Sequence, residues 1–290
     1  MRIPGSSFTG EPRSRPLPGA GSAARVLAVT SGKGGVGKTN LAVNLALALA
    51  DLGQRVIVVD ADLGLANVEV LLGISPPRTL YDCLYRDRDI REVLLPAPGG
   101  IQIIAGGAGF LDMAFLDRER WQKLLDALPQ LDNLADFVLL DTGAGLSKNV
   151  LFFLAAAGEV VVVVTPEPTS LTDGYSLIKV LDRLQAHREV LLVVNRAGSE
   201  REAAATARRL EAVAGKFLRL PLTYLGYIPD DGEVARAVKE QRPFYLANPQ
   251  SRPSRSVAGL ARRLLGQEAG DLPEKGVRGF VARLARLLGR

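Results

Sequence analysis

The 290-residue sequence has one cysteine, one histidine, one tryptophan and no apolar run long enough to cross a membrane. A single cysteine, Cys83, cannot form a disulfide within the chain or supply a Cys-x-x-Cys metal or redox site. The N-terminus lacks the apolar core of a signal peptide, and a spanning helix would need about 20 consecutive apolar residues. These absences favour a protein of the reducing cytoplasm.

The sequence also lacks a strong excess of either charge. It carries 36 Lys and Arg against 31 Asp and Glu, a net charge of +5. This mildly basic balance is not typical of a dedicated nucleic-acid-binding protein. The hydrophobic content of 47% suits one large globular domain with short tails.

The composition of the chain changes along its length. Residues 1–24 are rich in Gly, Pro, Ser and Arg, which predicts a disordered leader. From 25 to 265, short apolar runs alternate with helix-like stretches, and predicted strands lie at 25–30, 55–62, 101–106, 136–143, 159–166, 189–195 and 222–229. This alternation predicts an α/β fold, a single domain whose mostly parallel, twisted sheet has helices on both faces. Such sheets bind ligands at the carboxyl ends of their strands.

A glycine-rich loop follows the first predicted strand. Residues 32–39 read GKGGVGKT, which satisfies the phosphate-loop pattern G-x-x-x-x-G-K-[ST] between a strand and a helix. Glycines let backbone N–H groups turn towards phosphates, and the helix N-terminus adds partial positive charge. Lys38 is expected to reach the outer phosphates and the Thr39 hydroxyl to bind Mg²⁺. The residues expected to contact ATP are Gly32, Lys33, Gly34, Gly35, Val36, Gly37, Lys38, Thr39 and Asn40.

Three aspartates lie near the ends of two predicted strands. Asp141 is expected to hold Mg²⁺ through water, although a strand-end acid can also cap the next turn. Asp60 and Asp62 lie two residues apart, so one could hold Mg²⁺ while the other orients the attacking water. An alternative role, capping the following helix, is more plausible for Asp60 than for Asp62.

Four longer blocks of this sequence resemble a known family. They are VTSGKGGVGKTNLAVNLA (29–46), DADLGLANVEVLLG (60–73), LDTGAGLSKNVLFFLAAAGEVVVVVTPEPTSLTDGYSLIK (140–179) and YIPDDGEVARAVKEQRPF (227–244). The first, with its early lysine, resembles the deviant Walker A motif of MinD/ParA-type ATPases. The others are similar to the FlhG family (also called FleN or YlxH), MinD-like ATPases of flagellar number and placement. The resemblance covers about residues 25–290.

The resemblance assigns roles to particular residues. Lys33 would cross a homodimer interface and contact the nucleotide of the partner subunit, where a second cation would neutralise charge on the transferring phosphoryl group. Asp62 would position water, and Gly143 would be the flexible glycine beside Asp141. Asn195 would recognise adenine, and Pro229 and Asp230 would line the base. Pro166 and Glu167 match a loop near the nucleotide and the interface, or simply form a strand-to-helix turn.

The C-terminal stretch predicts a basic amphipathic helix at 277–290, after a linker at 266–276. This pattern is typical of a membrane-surface anchor, with a helix docked on the parent domain as the alternative. Reversible binding of two such helices on a dimer would place the protein at the inner face of the cell membrane. The expected membrane-contacting residues are Val277, Phe280, Val281, Leu284, Leu287, Leu288, Arg283 and Arg286.

The resemblance implies an ATP- and Mg²⁺-dependent ATPase, slow and active as a homodimer, that regulates flagellar assembly. Expected partners are the flagellar GTPase FlhF and flagellar C-ring proteins, although an Asp-Gln motif linked to activation of FlhF is absent from residues 1–24. A MinD-type division-site selector and a ParA-type DNA-partition ATPase are the alternatives. Nucleic acid is not favoured as a partner, because the amphipathic terminus favours lipid. The single cysteine excludes an iron–sulfur carrier with an intrachain site.

Cys83 is expected to be a partly buried filler. His187, the only histidine, is expected to face solvent near a helix end.

Overall fold

Short runs of Val, Ile and Leu form one eight-stranded sheet in the computed structural model, which describes residues 23–62, 67–107, 116–266 and 275–289. Most positions in these runs are apolar, as expected for strands covered on both faces, and the polar residues lie towards the strand ends. The strands are β1 Arg25–Thr30, β2 Val56–Ala61, β3 Leu94–Pro96, β4 Gln102–Ile104, β5 Phe137–Thr142, β6 Glu159–Val164, β7 Val190–Ala197 and β8 Leu222–Pro229.

The strand order is β3-β4-β2-β5-β1-β6-β7-β8, and every neighbouring pair is parallel except β3 with β4. From β1 the sheet extends through β5 and β2 on one side and through β6 on the other, so the order of the strands reverses at β1. Reversals of this kind open a crevice at the carboxyl ends of the strands, where α/β proteins bind ligands. The glycine loop follows β1, so the topology places it at this crevice.

Helices cover both faces of the sheet and divide the core into two apolar layers. The helices are α1 Lys38–Asp51, α2 Val68–Leu72, α3 Leu80–Tyr85, α4 Ile90–Val93, α5 Arg118–Ala127, α6 Lys148–Ala156, α7 Pro168–Leu184, α8 Glu200–Phe217, α9 Gly232–Lys239, α10 Phe244–Ala247, α11 Arg252–Gly266 and α12 Gly276–Leu287. On one face lie α1 and α11; on the other lie α5 to α8 and α12. No helix within the described ranges is long and apolar enough to cross a bilayer.

The predicted α/β fold is confirmed, and each predicted strand overlaps an observed one. The sequence prediction missed β3, which has only three residues and pairs antiparallel at the sheet edge. The predicted leader lies outside the described residues up to position 22, and Ala24, assigned to it, is buried at 2% exposure. The ordered domain therefore begins slightly earlier than predicted.

The C-terminal helix differs from the separate segment that the sequence predicts. It begins at Gly276, and its apolar side chains Val277, Phe280 and Leu284 are 1%, 1% and 0% exposed within the core layer formed with α6. The ring of Phe280 stacks on that of Phe153, with 6.4 Å between centroids. Fully burying each such side chain contributes about 1.5–3 kcal/mol, so docking in this groove is strongly favoured.

Polar contacts fix both ends of α12 in its groove. The Val277 N–H donates to Asp132 Oδ1 at 3.0 Å, which caps the helix from another part of the chain. Arg283 Nε donates to the Ala156 carbonyl oxygen at 2.9 Å. Of the expected membrane-contacting residues, Val281 and Leu288 are half-buried, while Leu287 and Arg286 are exposed. The linker predicted at 266–276 lies outside the described residues between 267 and 274.

Candidate nucleotide-binding site

The glycine loop connects β1 to α1 with backbone angles that only glycine adopts easily. Gly35 and Gly37 have φ values of 74° and 96°. Space is restricted too, because a Cβ on Gly37 would lie 2.3 Å from Asn195 Nδ2 and one on Gly32 would lie 2.1 Å from the Asp173 carbonyl oxygen. Gly37 caps α1 without any side-chain hydrogen bond, so the first backbone N–H groups of the helix can face a bound anion.

Lys38 and Asp141 face each other beneath this loop. Lys38 is 9% exposed, and burial lowers its pKa while the charges of Asp141 and Asp62 oppose the shift. Asp141, at the end of β5, is 1% exposed, and burial raises its pKa to about 7 although Thr39 donates a hydrogen bond to it. Asp141 Oδ1 is buried and has no hydrogen-bond partner among the described residues. A buried carboxylate oxygen without a partner is costly, and a hydrated cation would satisfy it.

The residues present therefore fit Mg²⁺ held by the Thr39 hydroxyl and, through water, by Asp141. Within the described ranges no group of three or more His, Cys, Asp or Glu side chains could hold a metal ion. Mg²⁺ at nucleotide sites keeps several waters and takes other ligands from the phosphates.

Asp62 lies within the same cluster. Burial raises its pKa, and the positive charge of Lys38 opposes the shift. A Cβ on Gly143 would lie 3.0 Å from Asp62 Oδ1. The absence of a side chain at position 143 thus lets the loop after β5 approach Asp62. A half-buried carboxylate beside the phosphate-binding lysine is suitably placed to orient water.

Asp60 has a different role from the metal ligand that the sequence predicts. It is 0% exposed, and both its oxygens accept backbone hydrogen bonds: Oδ1 from Asp62, and Oδ2 from Asn67 and Val68 at 2.8 and 3.1 Å. Burial, then repulsion from Asp141, raises its pKa well above the ordinary value. Asp60 therefore organises the segment after β2 and the start of α2, which corresponds to the capping alternative.

Lys33 turns away from this cluster towards the N-terminus of α7. Its Nζ lies 2.8 Å from Glu167 Oε2 and donates to Thr169 Oγ1 at 3.0 Å. The side chains of the ion pair are 38% and 57% exposed, and Lys33 lowers the pKa of Glu167. Glu167 thus occupies the N-cap position of α7, as a strand-to-helix turn requires, and its carboxylate also holds Lys33. Thr169 was not predicted from the sequence, because its adjacency to Lys33 depends on the packing of α7 against the loop after β1.

The residues expected to recognise the base lie at the ends of β7 and β8. Pro229 pairs with Ala197, and the Asp230 N–H donates to the Ala197 carbonyl oxygen at 2.9 Å. Asn195 donates through Nδ2 to the Val36 carbonyl oxygen at 2.7 Å, which ties the base end of the site to the glycine loop. Pro166, one residue before Glu167, is half-buried.

Asn40, in the first turn of α1, is half-buried, and its Oδ1 atom has no partner among the described residues. Gly34 and Gly35 are exposed at the tip of the loop, where an added Cβ would meet nothing within 4 Å. Lys38, Thr39, Asp62 and Asp141 thus converge on one crevice.

The chain is similar in sequence and in fold to known proteins. The profile of the family described as CobQ/CobB/MinD/ParA nucleotide binding domain matches residues 27–244. The chain is 43% identical to the antiactivator FleN of Pseudomonas aeruginosa, over 90% of this chain and 94% of that protein. It is 34% identical to the flagellum site-determining protein YlxH of Helicobacter pylori, over 91% of each chain.

Among solved structures, the fold is similar to the septum site-determining protein MinD of Pyrococcus horikoshii, which was solved in complex with Mg-ADP. The TM-score is 0.70 at 28% identity, over 86% of this chain and all of that chain.

Proposed function

Because this chain belongs to the CobQ/CobB/MinD/ParA family of nucleotide-binding domains, we propose that it is a dimerising, membrane-cycling regulator of flagellar number, placement and assembly. It is an ATPase that hydrolyses ATP to ADP and phosphate with Mg²⁺ as cofactor. The flagellar assignment is supported by relatives named as FleN and YlxH, which match this chain over almost its whole length.

The observation that carries the dimerisation proposal is the position of Lys33. Lys38, Thr39, Asp62 and Asp141 form one crevice, whereas Lys33 leaves it for Glu167. Exposed ion pairs contribute only about 0–1 kcal/mol. Lys33 can therefore exchange Glu167 for a stronger anion, such as the phosphates bound by a second subunit, at little cost.

In this proposal each side chain has a separate task. Lys38 and the N-terminus of α1 neutralise the phosphates, and Mg²⁺ supplies further charge stabilisation when it is bound. Asp62 holds the attacking water in line. The Lys33 of each subunit completes the site of the other, so hydrolysis requires a dimer and can act as a timer.

Membrane binding in this proposal uses the apolar face of α12, which must leave its groove first. The three buried side chains contribute about 5–9 kcal/mol in total to docking, so release needs compensation from lipid insertion and from avidity between two helices. We propose that the ATP-bound dimer attaches to the inner face of the cell membrane and that hydrolysis returns it to the cytoplasm. The proposed partners are FlhF and C-ring proteins.

Flotation with anionic vesicles tests the switch. The wild-type protein should float with a non-hydrolysed ATP analogue and remain at the bottom with ADP, while Lys33→Ala should not float in either state. Equal flotation of the wild type in both states would refute nucleotide-controlled attachment. Co-purification with C-ring proteins tests the flagellar assignment, whereas capture of MinC- or MinE-like proteins instead would indicate division-site selection.

A further inference from the structure

A second polar cavity lies at the end of the sheet opposite the nucleotide site. It has a volume of about 440 Å³ and is formed where α7 ends, where β7 begins and where the chain enters β8. Its lining includes Arg183, Arg188, Arg219, His187 and Asp182. Because the strands are parallel, these segments precede the strands, whereas the glycine loop follows one.

The three arginines of this cavity have no ion-pair partner within the described ranges and are exposed. Asp182, an acid of the same lining, forms no ion pair with them within the described ranges; its Oδ1 accepts the backbone N–H groups of Arg219 and Leu220 at 2.9 and 2.8 Å. Those bonds also attach the segment before β8 to the end of α7, which brings Arg219 to the same cavity as Arg183. The other nearby acid, Glu189, accepts a hydrogen bond from the Thr223 hydroxyl.

Three unpaired guanidinium groups around one cavity repel one another unless an anion lies between them. Guanidinium groups present planar pairs of N–H donors that match phosphate oxygens. His187 adds a neutral imidazole, because burial lowers its pKa to about 4 and the charge of Arg283 acts in the same direction. The neighbouring Lys216 is exposed on α8 and adds positive charge to this end of the molecule.

We infer that this cavity binds a phosphate group, carried by a phospholipid headgroup or by a soluble phosphate compound. The inference goes beyond the proposed function, because it concerns a site separate from the nucleotide crevice and needs no ATP turnover. Arg283 of α12 donates to the Ala156 carbonyl oxygen, and His187 Nε2 lies 3.2 Å from the carbonyl oxygen of the next residue, Ala157. A headgroup bound in the cavity would therefore lie beside the helix proposed to contact the membrane.

The chain offers an unusually direct probe, because His187 is its only histidine. Tag-free protein saturated with Mg-ADP, so that the glycine loop is occupied, is titrated with inorganic phosphate while the imidazole signals of His187 are followed by NMR. The cavity variant combines R183Q, R188Q and R219Q. The control combines R201Q, R208Q and R209Q on α8, which are also exposed, have no ion-pair partner among the described residues and change the net charge equally. The same proteins are floated with phosphatidylglycerol vesicles in the presence of a non-hydrolysed ATP analogue, the state in which vesicle binding is proposed.

A saturable His187 shift that weakens about tenfold or more in the cavity variant, and not in the control, supports a site for soluble phosphate. Weaker vesicle binding of the cavity variant than of the control, without a phosphate-induced shift, supports a headgroup site. The inference is overturned if phosphate produces no saturable shift and both variants bind vesicles equally. Unfolding curves and ATPase rates of the two variants should match, which separates this test from failure of the proposed function.

Discussion

Replacing Phe280 with alanine tests whether the C-terminal helix belongs to the folded domain. Phe280 is 1% exposed and stacks on Phe153 in the layer between α12 and α6. Buried Phe→Ala changes cost about 3–5 kcal/mol, from lost transfer energy and the cavity left behind. Leu287, on the same helix, is 39% exposed, so Leu287→Ala is a matched control that should cost less than about 1 kcal/mol.

Urea denaturation of the nucleotide-free protein measures the difference. The midpoint should fall clearly for Phe280→Ala and hardly at all for Leu287→Ala. If the free energy of unfolding of Phe280→Ala lies within about 0.5 kcal/mol of the wild type, the docked position of α12 is wrong. The separate membrane segment predicted from sequence would then be correct, and Phe280→Ala would affect vesicle flotation alone.

Asp62, Lys33 and His187 offer three further tests. Asp62→Ala should still bind ATP and dimerise but lose turnover, and a normal hydrolysis rate would remove Asp62 from the role of positioning water. Lys33→Ala should abolish dimer-dependent hydrolysis while changing the free energy of unfolding by at most about 1 kcal/mol, because its ion pair is exposed; comparable loss of stability and activity would contradict this. The pKa of His187 falls from 6.5 to about 4 on folding, so the unfolded state binds the proton more tightly and stability should rise with pH between those values, by up to about 3 kcal/mol. His187→Gln should remove that part of the pH dependence, and an unchanged profile would show that the imidazole is not buried as described.

Much of this protein was predictable from local sequence. The glycine loop was identified because phosphate binding requires glycine, lysine and a hydroxyl at fixed spacing between a strand and a helix. The strands were identified because parallel sheets covered on both faces need continuous apolar runs. The family resemblance, drawn from four blocks, is confirmed by the FleN and YlxH relatives.

Tertiary structure decided the features that depend on residues distant in sequence. The sequence left Asp60 as a metal ligand or a cap, and the backbone N–H groups of Asn67 and Val68 that it accepts support the capping alternative. Lys33 required α7 to bring Glu167 and Thr169 within reach.

The C-terminal helix gives the clearest physical reason for this division. An amphipathic sequence specifies that one face must leave water, and lipid or a protein groove satisfies that need equally well. Only the fold reveals that α6 provides an apolar groove and that Asp132, far away in sequence, caps the helix there. The sequence by itself determined the residue types of the nucleotide site and the amphipathic character of the terminus. The tertiary structure decided which side chains make contact across long distances in sequence, because those contacts depend on how the helices pack on the sheet.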